Sequence, residues 1–146
     1  MLFSQEDRRS LPVLIIEDQP IIAFGVESVL LEMGFEKIVI TCSAAAAVLA
    51  SQSQYPKLIV SDIHLGDHED NAVVALKSID GDAQVPTVFV TSSHLTEELQ
   101  SLVTASNSAL VRKPFTDDRL REAIYGVLVR TEAQSHQAED LAPTSS

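Results

Sequence analysis

The chain has 146 residues, the size of one domain with room for one substantial hydrophobic core. Hydrophobic residues make up 45% and charged residues 21%, a globular mixture that excludes wholesale disorder and the fibrous classes. Lys and Arg number 10 against 21 Asp and Glu, a formal charge of -11 that repels phosphate backbones and anionic bilayers, so neither nucleic acid nor membrane is expected as a partner.

Residues 1–10 carry no basic leader and no long apolar run. No secretory signal or membrane span is expected there, and the segment reads as flexible. Cys42 is the only cysteine, which fits a reducing cytoplasmic location. It follows an apolar run and reads as a small core residue rather than a reactive thiol.

Leu11 to Ile16 is apolar and β-branched and ends in Glu17-Asp18, a strand that delivers acids at its carboxyl end. Pro20 suits a first helical turn, Ile22, Val26, Val29, Leu30 and Met33 recur at helical spacing, and Gly34 supplies the stop. Lys37 to Thr41 is a short second strand, and Ser43 is placed to cap a helix over Ala44 to Ala50. Pro56 and the polar loop after Asp62 bound the apolar run Leu58-Ile59-Val60-Ser61-Asp62 to strand length.

Val73, Leu76 and Ile79 mark a third helix, and Pro86 to Thr91 a strand ending in a hydroxyl. Leu95, Leu99, Leu102 and Val103 give a fourth helix with Glu97 and Glu98 in its first turn. Ala109 to Val111 is the last strand, running into Arg112-Lys113-Pro114. Thr116 is the cap expected for a helix buried through Leu120, Ile124, Val127 and Leu128. The apolar period stops after Arg130, so residues 131–146 read as a disordered acidic tail.

Five strand–helix pairs in alternation imply a parallel sheet covered on both faces, with right-handed crossovers. The expected fold is a doubly wound α/β domain over residues 11–130. Its commonest five-stranded order, 2-1-3-4-5, brings the ends of the first and third strands together, so that Glu17 and Asp18 face Asp62. Each acid alone could simply cap a helix or solvate a loop. The ends of four strands, however, deliver Glu17-Asp18, Asp62, Thr91 and Lys113 to the edge where open parallel sheets bind ligands.

On Leu14-Ile15-Ile16-Glu17-Asp18, Ile59-Val60-Ser61-Asp62, Val88-Phe89-Val90-Thr91-Ser92 and Val111-Arg112-Lys113-Pro114-Phe115, the chain resembles the receiver domain of bacterial two-component response regulators. The likeness runs from about Leu11 to Arg130 and implies the flavodoxin-like receiver fold. It implies a phosphorelay function in which Asp62 accepts a phosphoryl group from a sensor histidine kinase, a histidine phosphotransfer protein or a small acyl phosphate. Three acids in one place repel and raise one another's pKa, a conflict that a divalent cation removes. Mg2+ suits such small oxygen coordination and keeps waters to share with a phosphoryl group. By resemblance its ligands are Asp18 and Asp62, Glu17 directly or through water, and the backbone carbonyl of His64. Lys113 would neutralise the transferring group, Thr91 would hydrogen-bond it once attached, and a cis Lys113-Pro114 peptide would aim the ammonium inward.

The chain departs from the family at Leu110, where many receivers carry an aromatic, and at His64 and Ser93, positions that modulate phosphoryl lifetime. The loop Gly66 to Asn71 also lacks the usual proline and the usual glycine before the third helix and is about one residue longer. For a transition-metal site using His64, His68 and nearby acids, the acids follow no recognised ligand spacing. A tail too short for a DNA-binding domain points to a stand-alone receiver. Its output would be contact with a downstream protein, phosphoryl relay, or a homodimer, over Leu95 to Val103, Ala109 to Val111 and Leu120 to Val129. No enzymatic activity is expected beyond its own phosphoryl transfer and dephosphorylation. Two alternatives stand beside this: a receiver-like scaffold that binds without phosphorylation, and a Mg-dependent aspartyl-phosphate phosphatase or phosphotransferase. Against the latter, His64 stands where a second aspartate is expected.

Overall fold

The computed structural model of the protein describes residues 5–63, 85–92, 100 and 107–141. Five strands, β1 (Pro12–Ile16), β2 (Lys37–Thr41), β3 (Leu58–Asp62), β4 (Thr87–Thr91) and β5 (Ser108–Arg112), form one sheet in the order β2-β1-β3-β4-β5. Every pairing is parallel, so the expected strand order and doubly wound class hold.

Side chains alternate across this sheet, as the two-residue strand period requires. Val13, Ile15, Val60, Val88, Val90 and Val111 pack on one face with helices α2 (Pro20–Glu32) and α4 (Asp117–Leu141). Leu14, Ile16, Ile59 and Phe89 pack on the other with Ala47 of α3 (Ala44–Ser53). Strands β3 and β4 are buried throughout, the pattern of a central parallel sheet covered on both faces. The helix signals also hold. Pro20 opens α2, Ser43 Oγ accepts from Ala46 N at 3.1 Å, and Thr116 Oγ1 accepts from Arg119 N at 3.1 Å.

Gly34 ends α2 at φ +100, a conformation that costs a side-chain-bearing residue energy. Its amide bonds Leu31 O at 3.0 Å and that of Phe35 bonds Leu30 O at 3.1 Å, a Schellman closure. Leu30 and Phe35 are both buried in the core beside it.

Four readings change. The N-terminal segment, expected to be flexible, forms helix α1 (Gln5–Ser10), with acids in its first turn and Arg8 and Arg9 in its last, as the helix dipole favours. Arg8 Nη1 donates to Met33 O at 3.0 Å and ties α1 to the end of α2. Cys42 is exposed, because it lies one residue past an edge strand, beyond the cover of α3. The last strand is longer than Ala109 to Val111, and α4 continues to Leu141 where a disordered tail was expected from Thr131. No Gly or Pro interrupts 131–141, and adding a residue to an existing helix is far easier than starting one. The helices expected around Val73 and Leu95, and the residues His64 and Ser93, lie outside the described residues.

Candidate functional site

The site is assembled at the carboxyl ends of the strands, and backbone bonds between neighbouring strands fix it. Glu17 N donates to Thr41 O at 2.9 Å, Ile63 N to Val90 O at 3.2 Å, and Lys113 N to Thr91 O at 2.8 Å. Thr41 Oγ1 adds a bond to Ile15 O at 2.8 Å, and Ser61 Oγ one to Asp62 O at 2.9 Å. Glu17, Thr91, Lys113 and the residue after Asp62 are therefore held by backbone bonds to the strand beside them.

Glu17, Asp18 and Asp62 converge, with one carboxylate oxygen of each within 4.8 Å of the others. Glu17 and Asp62 are buried, at 4% and 5% exposure. Lys113 reaches between them, its Nζ 2.9 Å from Glu17 Oε1 and 3.3 Å from Asp62 Oδ2, and the Lys113-Pro114 peptide is cis as the resemblance implied. Gln19 N donates to Glu17 Oε2 at 3.2 Å. Thr91, buried at the end of β4, sits one strand away from Asp62, whose register partner is Val90.

Electrostatics follow from that packing. Burial pushes the Glu17 carboxyl up to about 7; the Lys113 hydrogen bond pulls it down and the Asp62 charge pushes it further up. Burial also opposes the charge on Lys113, but the hydrogen bond to Glu17 and the charges of Asp62 and Glu17 outweigh it and raise its pKa. Three acids against one ammonium leave an oxygen-rich, net-negative pocket, a donor set that suits a small hard divalent cation. Of the residues expected from sequence, Glu17, Asp18, Asp62 and Lys113 come together and Thr91 lies beside them; His64 is outside the described residues.

A family model for the response regulator receiver domain matches residues 13–125. The chain belongs to the response regulator receiver family. It is 35% identical over 81 residues to the phyllosphere-induced regulator PhyR of Methylorubrum extorquens, covering 55% of this chain and 30% of that one. Response regulator Rre1 of Synechocystis sp. is 27% identical over 134 residues, covering 89% of this chain and 57% of its own. The crystal structure of the anti-anti-sigma factor PhyR from Bartonella quintana superposes with a TM-score of 0.70 at 28% identity, over 92% of this chain and 54% of that one. The chain thus spans from about a third to somewhat over half the length of these relatives. As a receiver it is a signalling domain rather than a conventional enzyme, and among the described residues no helix is long and apolar enough to cross a membrane.

One feature of this receiver's site is hidden in the sequence. Beside Lys113 an open cleft of about 510 Å3 is lined by Ile21, Ile22, Gly25, Ser92, Pro114 and Phe115, among others. Ile21 is 87% exposed and Phe24, one turn on, 61%. The signal was two large apolar residues off the buried stripe of α2, which spacing alone does not separate from ordinary surface scatter.

Proposed function

We propose that this receiver takes a phosphoryl group onto Asp62 from a phosphohistidine donor and signals by changing its contacts with partner proteins. The observation that carries the reading is the convergence of three carboxylates from two strand ends, two of which, Glu17 and Asp62, bind the ammonium of Lys113. An Asp62 oxygen attacks phosphorus, the P–N bond to the donor imidazole breaks with its electron pair going to nitrogen, and an aspartyl phosphate results. Positioning and charge neutralisation are what a protein can add to such a transfer. Lys113, already hydrogen-bonded to Asp62, supplies a donor and positive charge to the phosphoryl oxygens. Glu17, Asp18 and Asp62 would hold Mg2+, which when bound neutralises further charge on the phosphoryl group.

Thr91 ends β4 next to the acceptor strand, and its hydroxyl would donate to an attached phosphoryl. Drawing it inward biases β4 and β5, and through them the surface offered to partners. The apolar cleft beside Lys113 is where the donor protein would rest, close enough to deliver a phosphohistidine. PhyR of Bartonella quintana is an anti-anti-sigma factor, which favours an output through protein contact.

The test is incubation with Mg2+ and acetyl phosphate, read by intact mass and amide NMR. One added phosphoryl group, with shifts running from Asp62 through Thr91 to β5 and none in Asp62→Asn, is the expected result. An unmodified chain that binds Mg2+ would overturn it and favour a scaffold that works without phosphorylation.

A further inference from the structure

Strand β5 is an edge of the sheet, and edges left open recruit other chains. Its odd-numbered neighbours turn their backbone groups to β4: Asn107 O accepts from Thr87 N, and Lys113 N donates to Thr91 O. By alternation Ser108, Leu110 and Arg112 turn theirs outward. Two arginines of α4 meet that edge. Arg119 Nη2 donates to Leu110 O at 3.3 Å, and Arg130 Nη2 to Ser108 O at 2.9 Å.

Along the same edge lies a cleft of about 470 Å3 lined by Leu110, Arg112, Pro114, Phe115, Thr116 and Arg119. It combines an apolar floor with two exposed guanidinium groups, and none of these lining residues is acidic, although the chain as a whole carries -11. The nearby acids of α4 are turned elsewhere: Asp118 pairs with Arg121, and Asp117 lines the cleft beside Lys113.

We propose that this cleft receives an extended acidic segment of a partner protein, and that Arg119 admits it by exchanging the Leu110 carbonyl for an incoming carboxylate. A guanidinium prefers a carboxylate, which can accept two parallel N–H bonds, to a single neutral carbonyl. The exchange releases Leu110 O to accept an N–H from the incoming backbone, so the segment adds to the edge as a strand while Arg112 binds a second acid. An uncharged strand gains no such exchange and is turned away. The inference rests on the reading of this receiver as a module that signals by protein contact, and it names the chemistry of the contact.

The probe is an N-acetylated octapeptide of alternating Asp and Val, with a Lys-for-Asp version as control, titrated into the full chain without a phosphoryl donor. Saturable amide shifts at Leu110, Arg112, Phe115 and Arg119 are expected with the acidic peptide only. They weaken as salt rises and lose at least about tenfold in affinity in Arg119→Glu and in Arg112→Glu. Both residues are exposed, so the variants keep the parent spectrum elsewhere. Arg119→Ala, which uncovers the Leu110 carbonyl and removes the carboxylate partner, should lose the preference for the acidic peptide. Equal binding of both peptides, shifts confined to the cleft beside Lys113, or no shifts would overturn the proposal. So would concentration-dependent shifts at these residues without peptide, which mark a second copy as the occupant. Asp62→Asn must bind the peptide as the parent does. Binding without phosphorylation by acetyl phosphate would sink the phosphoacceptor reading alone, and phosphorylation without binding would sink only the cleft.

Discussion

Among the described residues, two three-residue charge clusters bridge separate elements of this domain, and they differ chiefly in burial. Lys113 joins Glu17 and Asp62 with side chains 11%, 4% and 5% exposed, whereas Arg121 joins Glu32 and Asp118 with side chains 38%, 60% and 86% exposed. The exposed cluster links α2 to α4 in water, where Coulomb attraction is weak and two long side chains must be ordered to gain it. The buried one is costly to desolvate, and a well-packed apolar trio would hold the fold at least as well. Charge kept in so expensive a place is what the proposed phosphoryl transfer would use.

The sharpest way to break the comparison is to remove each hub. Lys113→Ala strands two buried carboxylates and should cost about 3–5 kcal/mol by denaturant unfolding without divalent cations. The loss should be larger at pH 8 than at pH 5, where protonation of Glu17 relieves it. Adding Mg2+ should recover part of the stability.

Glu17 sets the next effect. Its carboxyl sits at about 7 in the folded chain against 4.5 unfolded, so between those values the folded state binds more protons. Metal-free stability should therefore fall as pH rises from 4.5 to 7, by at most about 3 kcal/mol. Glu17→Gln should flatten that slope in a pH series of urea midpoints, and an unchanged slope would mean that another group titrates.

Ser43→Ala provides a reference on the same scale, since losing one helix cap costs about 1 kcal/mol. Smallest of all, Arg121→Ala should leave the denaturation midpoint unchanged within error, at low salt and high. A clear loss there would erase the distinction between the clusters.

Much of this was legible in the sequence because its signals are local. Leu58 to Asp62 announces a buried strand ending in an acid, and the caps at Ser43 and Thr116 need only a neighbouring amide. Strand order came from alternation and a topological rule rather than from any residue. What stayed hidden is tertiary. Cys42 looks like core until β2 proves to be an edge, and Arg8 explains helix α1 only once Met33 O lies beside it. The helix end at Leu141 lay past the last apolar period of the sequence, where no Gly or Pro marks a stop. The arginines at 119 and 130 give no sequence sign that they reach the backbone of β5.

The amides of Glu17, Ile63 and Lys113, each bonded to the carbonyl of an adjacent strand, make the site readable by a clock as well as by a map. In heavy water such protons leave only when the strands part, so their exchange should follow unfolding of the whole sheet rather than local fraying. If so, the pocket has no private breathing mode. A donor meets it fully built or not at all, and substitutions elsewhere in the core will tune its availability through global stability alone.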